Sequence, residues 1–293
     1  MPRPVLTVLS RIPWWLRLSA VALLAALAAV VVVDTASAPT PVPPRAAGDA
    51  DQTTTPPPEP DEPHVPVPAV PAERLASLPE ASTYTTLSAA PRDTDAAADT
   101  DGLVVHNTEP LPVFTAPGGQ PFARLPVRQV GSDTWLPVVG EQPGWLKVLL
   151  PSKPNGGTGW LDASRLRHAH TVYQIRVNLA DTSLRLLRDG KAVGRWTVGI
   201  GKDDTPTPAG RTFLLASIKD SKQNYSPVIL PLGSHSSTLD TFGGGPGTVA
   251  IHSWPTNDVF GKRLSHGSIR VPADALGALL SVPLGTLVLI TNT

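Results

Sequence analysis

The feature that most restricts this 293-residue chain is where its prolines fall. Twelve of the thirty-three residues from Pro39 to Pro71 are proline, with acidic and threonine residues between them. Proline fixes φ and removes a backbone donor, so such a run favours extended polyproline conformation over a packed core. Residues 72–101 continue in Ala, Thr and Asp with little apolar content, apart from a short helix expected near Ala72–Leu78. Residues 39–101 carry three basic and eleven acidic side chains, a net of −8. Residues 39–102 therefore read as a solvated, disordered linker or stalk.

The segment before this run has a different logic. Arg3, Arg11 and Arg17 precede an apolar stretch from Leu18 to Val33, and Ala36-Ser37-Ala38 follows as a small-x-small exit. That order describes a secretory signal. The apolar run is shorter than the roughly 20 residues of a spanning helix, but Trp14 and Trp15 could extend it at a membrane interface. Residues 1–38 thus read as a signal peptide or an uncleaved anchor in the cytoplasmic membrane, and either form implies export of the remainder.

From Leu103 the texture becomes β-rich. Short apolar pieces such as LVVHN, LPVFTAP, TWLPVVG and WLKVLLP alternate with Pro and Gly, the pattern of a small all-β barrel whose core or one face takes Trp135, Trp145 and Trp160. From Thr171, Tyr173, Ile175 and Val177 alternate with polar neighbours, as do Leu184 and Leu186. Asp189-Gly190 reads as a hairpin turn. Thr205-Pro206-Thr207-Pro208-Ala209-Gly210 reads as a rigid loop before the strand RTFLLASI, and Thr248–His252 as a strand. Asp274 is the expected N-cap of a helix over Ala275–Ser281, and a final strand is expected over Leu287–Ile290.

Chemistry concentrates in IHSWPTNDVFGKRLSHGSIR. A serine hydroxyl needs a base to take its proton. Ser268 has His266 two residues away and His252 at a strand end upstream. Backbone N–H groups of Gly267 and Ser268 could stabilise an oxyanion, and Arg270 could grip a carboxylate. These parts suit acyl transfer through an ester. A serine in a glycine loop is also an ordinary turn residue, and a zinc site from His235, His252 and His266 is conceivable, although no HExxH-like spacing supports it. The absence of cysteine excludes disulfides and thiolate catalysis. A formal net charge of zero gives no reason to expect nucleic acid as a partner.

Residues 250–276, the VPLGTLVLI that follows them and the upstream Thr207-Pro208-Ala209-Gly210 together resemble the L,D-transpeptidases of bacterial cell walls, the YkuD-like catalytic domain. GWLKVLLP…NGGTGWLDASRL likewise resembles the bacterial Src-homology-3-like domain. The implied architecture is mainly β: residues 1–38 as above, the linker 39–102, a Src-homology-3-like barrel over 103–170, and a β-sandwich-like L,D-transpeptidase domain with one short helix over 171–293. By position, the resemblance makes His252 the general base and acid, and places Ser268 where the family carries its cysteine nucleophile. His266 and Gly267 fall in the oxyanion loop, and Arg270, Ser253 and Ser265 on the substrate side. It implies peptidoglycan peptide stems as substrate, attack on the bond between the diamino acid and D-alanine, possible acylation by β-lactams such as carbapenems, and no cofactor or metal. Serine in place of cysteine keeps open the alternative of an inactive, peptidoglycan-binding module.

Overall fold

The computed structural model describes residues 64–219 and 223–293. The signal or anchor over 1–38 and the most proline-dense part of the linker lie outside the described residues. No helix among the described residues is long and apolar enough to cross a membrane.

The first β unit is built from β1 (Leu103–Asn107), β2 (Leu111–Phe114), β3 (Pro121–Leu125), β4 (Arg128–Gln129), β5 (Ser132–Asp133), β6 (Trp135–Gln142), β7 (Trp145–Leu149), β8 (Thr158–Asp162) and β9 (Leu166–His170). Seven of these pair in the order β3-β2-β8-β7-β6-β1-β9, with antiparallel ladders throughout. Trp145 is fully buried and meets Phe114 edge to face, while Trp135 and Trp160 stay half-exposed.

The second unit contains β10 (Tyr173–Asn178), β11 (Ser183–Arg188), β12 (Lys191–Thr197), β13 (Ile200–Gly201), β14 (Gly210–Phe213), β15 (Ile229–His235), β16 (Thr248–Ser253), β17 (Arg263–Ser265), β18 (Ile269–Val271) and β19 (Leu287–Thr291). One sheet runs β12-β11-β10-β19-β14 and another runs β15-β16-β18. Ile175, Val177, Leu184 and Leu186 of the first sheet share a core with Leu230, Leu232, Val249, Ile251, Ile269 and Val271 of the second. This is the expected two-layer, sandwich-like arrangement. Asp189 and Gly190, at φ 49° and 72°, make the β11–β12 turn. Both positive angles match the hairpin turn that follows the strand twist.

The helix is Ala273–Leu279, two residues earlier than expected. Pro272 stands at its N-cap position, and Asp274 instead accepts a 2.7 Å hydrogen bond from Trp196 Nε1. Proline cannot supply a side-chain cap, and none is made there.

The largest correction concerns residues 64–101. They are a strap, not a solvated stalk. The expected short helix is present as Ala72–Ser77. Beyond it, Ala81, Leu87 and Ala90 join the core of the first β unit. Backbone bonds from Ala81 N–H to Arg124 C=O and from Arg124 N–H to Pro79 C=O cover the edge of β3. Trp145 Nε1 donates to Val65 C=O at 2.7 Å, so the fixed segment reaches back almost to its first described residue. The strap also ties the two β units together. Thr83 bonds both His235 on β15 and Thr248 on β16. Asp93 forms a two-pronged ion pair with Arg211 on β14, at 2.6 and 2.7 Å, with both side chains buried.

β14 is the wall between two cores. Successive strand side chains point to opposite faces. Phe213 and Leu215 enter the core of the first unit, beside Leu136 and Val105, while Leu214 enters the core of the second. The boundary expected near residue 170 is therefore a boundary of sequence texture that crosses a continuous packed interior.

Candidate active site

The site is framed by β16 and β18, which pair in parallel with Ile251 opposite Ile269 and His252 opposite Arg270. Ile251 and Ile269 are fully buried in the core. Alternation then puts His252 and Arg270 on the opposite face of this sheet. Ser268 precedes β18 by one residue, and the same alternation puts it on the face of His252 and Arg270. Strand spacing and rise make Ser268 and His252 diagonal neighbours, with Cα atoms roughly 8 Å apart. An imidazole and a hydroxymethyl group can meet across that span. Ser268 is half-buried, and its hydroxyl makes no hydrogen bond among the described residues.

His252 is buried and held by its neighbours. Its Nδ1 lies 2.8 Å from the carbonyl of Ser253, which can only accept, so Nδ1 carries the proton and Nε2 is left as a free lone pair. Burial lowers its pKa below the usual imidazole value; the Ser253 carbonyl opposes this and the Arg270 charge reinforces it. The net result is a neutral base at neutral pH. Tyr225 packs edge-on to the ring at 4.9 Å.

The group that orients the ring is thus the backbone carbonyl of Ser253, and it is braced in turn. The Ser226 hydroxyl receives hydrogen bonds from the Ser253 N–H and Oγ, each at 3.0 Å, and donates to the Val228 carbonyl at 2.6 Å. The Ser253 hydroxyl is therefore committed to Ser226 inside the fold, which corrects its expected place on the substrate side. Ser226 had no signal of its own in the sequence, because its role arises only once β15 and β16 are adjacent.

The loop before Ser268 is pinned from two sides. Ser265 is also buried: its Oγ donates to the Ser268 carbonyl at 2.5 Å and accepts from the Gly267 N–H at 3.1 Å, so its hydroxyl is committed inside the fold and not on the substrate side expected of it. The Gly267 N–H is consequently occupied, which corrects its expected role as an oxyanion donor. The Ser268 N–H has no partner among the described residues and is the amide left for that task. Gly267 sits at φ 106°, a conformation that favours glycine. From the other side, Thr205 Oγ1 donates to Ser265 C=O at 3.1 Å and Thr207 Oγ1 donates to Gly267 C=O at 2.8 Å. This gives the Thr-Pro-Thr-Pro loop its physical function as a strut beneath the serine.

His266 turns outward and stacks on Phe242 at 5.3 Å, forming part of the rim. His235 is buried in the seam, with Nε2 at 2.7 Å from Thr83 C=O. His235, His252 and His266 therefore have separate surroundings, and among the described residues no three His, Cys, Asp or Glu side chains gather as a metal cage. Asp258 is exposed and bonded to Thr256, so it does not orient His252. The guanidinium of Arg270 lies over the Trp254 ring, 3.7 Å from its centroid.

A protein-family model described as the YkuD L,D-transpeptidase catalytic domain matches residues 172–290. A putative L,D-transpeptidase of Bacillus subtilis, YqjB, is 32% identical over 123 residues, which are 40% of this chain and 69% of that protein. Among solved structures, an L,D-transpeptidase from Mycobacterium smegmatis is 14% identical, covering 53% of this chain and 98% of its own, with a TM-score of 0.34. L,D-transpeptidase 3 from Mycobacterium tuberculosis, in complex with a faropenem-derived adduct, is 12% identical, covering 53% and 93%, with a TM-score of 0.36.

Proposed function

Because the chain belongs to the YkuD L,D-transpeptidase family, we propose that it is an exported acyltransferase acting on peptidoglycan peptide stems with Ser268 as nucleophile. The observation that carries this reading is the base: a buried, neutral imidazole, tautomerically fixed by Ser253, on the same sheet face as a half-buried serine with an unengaged hydroxyl.

In the first step Ser268 Oγ attacks the amide carbonyl carbon between the diamino acid and the terminal D-alanine, while His252 Nε2 takes the hydroxyl proton. The Ser268 N–H faces the developing oxyanion. Collapse breaks the C–N bond, and D-alanine leaves with the proton returned by His252. An ester on Ser268 remains. The side-chain amine of a second stem then attacks the ester carbonyl and gives its proton to His252; the C–O bond breaks as His252 returns that proton to Ser268 Oγ, leaving a new amide cross-link. Water in place of that amine makes the outcome carboxypeptidase activity.

Arg270 supports the choice of bond. It stands two residues from Ser268 on one strand face, roughly 6–7 Å away. A carboxylate one residue beyond the attacked carbonyl falls within the reach of its guanidinium, so a single terminal residue is the favoured leaving group. The Src-homology-3-like reading of residues 103–170 and the leader at 1–38 complete the proposal as a wall-side protein, attached to the cytoplasmic membrane if the leader stays uncut.

D-alanine release from a tetrapeptide stem, together with mass spectrometry after carbapenem treatment, tests this reading. Release and an adduct on Ser268, both lost in Ser268→Ala, are expected. Sedimentation with peptidoglycan without release or adduct, in both the wild type and Ser268→Cys, would leave only the binding module.

A further inference from the structure

Arg270 is held in an uncommon way. Its backbone is clamped by paired hydrogen bonds with Gly199, each at 2.8 Å. A side chain at position 199 would collide with the carbonyl of Val259, so this close approach requires glycine. The head of Arg270 has no carboxylate within ion-pair distance among the described residues. Its Nε is buried without a hydrogen-bond partner. What holds the guanidinium is the indole of Trp254, 3.7 Å away, backed by Tyr225 at 5.6 Å.

The difference between an aromatic holder and an acidic one is chemical. A carboxylate would neutralise the guanidinium and occupy its N–H fork. An aromatic face attracts the cation through its quadrupole and leaves the in-plane N–H edge unused. Trp254 lies just beyond the end of β16, two residues from His252, so the holder directly follows the strand that carries the proposed base. We propose that Trp254 is a positioning residue that presents Arg270, un-neutralised, to the carboxylate of the peptide residue beyond the bond attacked by Ser268. The identity of that ligand rests on the function proposed above; the hold of Trp254 on Arg270 does not.

The experiment separates the two. In a Ser268→Ala background, where no turnover occurs, calorimetry compares a tetrapeptide stem ending in a free carboxylate with the same peptide ending in an amide. The carboxylate peptide should bind roughly tenfold more tightly, as suits one charge-assisted contact. Adding Trp254→Leu should remove most of that preference, and Trp254→Phe, which keeps an aromatic face, should retain much of it. Without peptide, NMR titration of His252 gives an independent reading. Among the described residues the charge that acts on that ring is Arg270, which lowers its pKa, while the Tyr225 and Trp254 rings pack beside it. Release of Arg270 in Trp254→Leu should raise the His252 pKa, and Trp254→Phe should keep it near the wild-type value. The proposal is overturned if Trp254→Leu changes neither the acid-to-amide ratio nor the His252 titration, or if phenylalanine serves no better than leucine. If neither peptide binds any variant, the substrate reading fails, and the His252 titration still decides the role of Trp254.

Discussion

Replacing Asp93 with asparagine should loosen the whole molecule, although Asp93 lies about 80 residues before the catalytic domain matched at 172–290 begins. The Asp93 and Arg211 side chains are 3% and 4% exposed, and their two contacts are 2.6 and 2.7 Å. Without the carboxylate, the buried guanidinium keeps one carbonyl partner, Ala98, at 3.3 Å. Removing one member of a buried ion pair costs about 3–5 kcal/mol, because the remaining charge is stranded. For a unit of this size, that is a fall in melting temperature of roughly 6–20 °C. The double variant Asp93→Asn, Arg211→Met removes the stranded charge and should recover most of the loss. Urea unfolding followed by tryptophan fluorescence reads both. A single variant within about 1 kcal/mol of wild type would refute the reasoning, as would a double variant no better than the single. The same pair sets an acid limit. Burial by itself would raise the Asp93 pKa, but hydrogen bonds from Arg211 and the Asp95 N–H and the Arg211 charge leave it lowered below 3.8. A lowered carboxyl stabilises the fold above its unfolded value and loses that contribution as pH falls through the folded value. The strap should therefore stay latched at mildly acid pH and weaken only below about pH 4.

Other outcomes follow from the site. With the His252 pKa lowered, the base stays neutral below the ordinary imidazole value of 6.5, so the acid limb of the kcat/KM profile should lie below pH 6.5. A limb above that value would contradict the burial argument. Thr207→Val strands the Gly201 N–H and the Gly267 carbonyl, at a stability cost of about 2 kcal/mol or more with reduced kcat, and Thr207→Ser should restore both. Gly201→Ala puts a methyl group 2.3 Å from the Thr205 carbonyl oxygen, so it should disrupt the strut and show as poor soluble expression or a clearly lowered melting temperature. Ser226→Ala should lower kcat more than it raises KM, since it loosens the brace behind His252 without touching substrate.

Much of the second β unit was legible because its signals are local. Alternating Ile175 and Val177, the Asp189-Gly190 turn and the Thr-Pro-Thr-Pro loop each act over a few residues. Ser268 and His252 stood out in the sequence as residues, and the register of β16 and β18 supplied their common face. The strap was misread for a physical reason. Its buried apolar side chains are few, Leu78, Ala81, Leu87 and Ala90, and their spacing by threes follows neither the alternation of a strand nor the 3.6 period of a helix. It is fixed by backbone hydrogen bonds, by Thr83 and by Asp93, whose partners lie far along the chain. Composition cannot see such partners, so a segment poor in hydrophobic residues resembled a solvated one. Ser253 and Ser265 were expected on the substrate side, and their hydroxyls are instead committed to Ser226 and the Ser268 carbonyl, partners that no local pattern announces.

The double-sided β14 sets the smallest piece of this protein worth purifying. Cutting at residue 171, where the sequence changes texture, would strip the covering from Phe213, Leu215, Ala216 and Leu287 and leave Arg211 without its counter-ion. Such a fragment would carry every group of the proposed chemistry and still be expected to aggregate, with greasy side chains open to solvent. A graft of this catalytic half onto another carrier would meet the same difficulty unless residues 64–170 travelled with it.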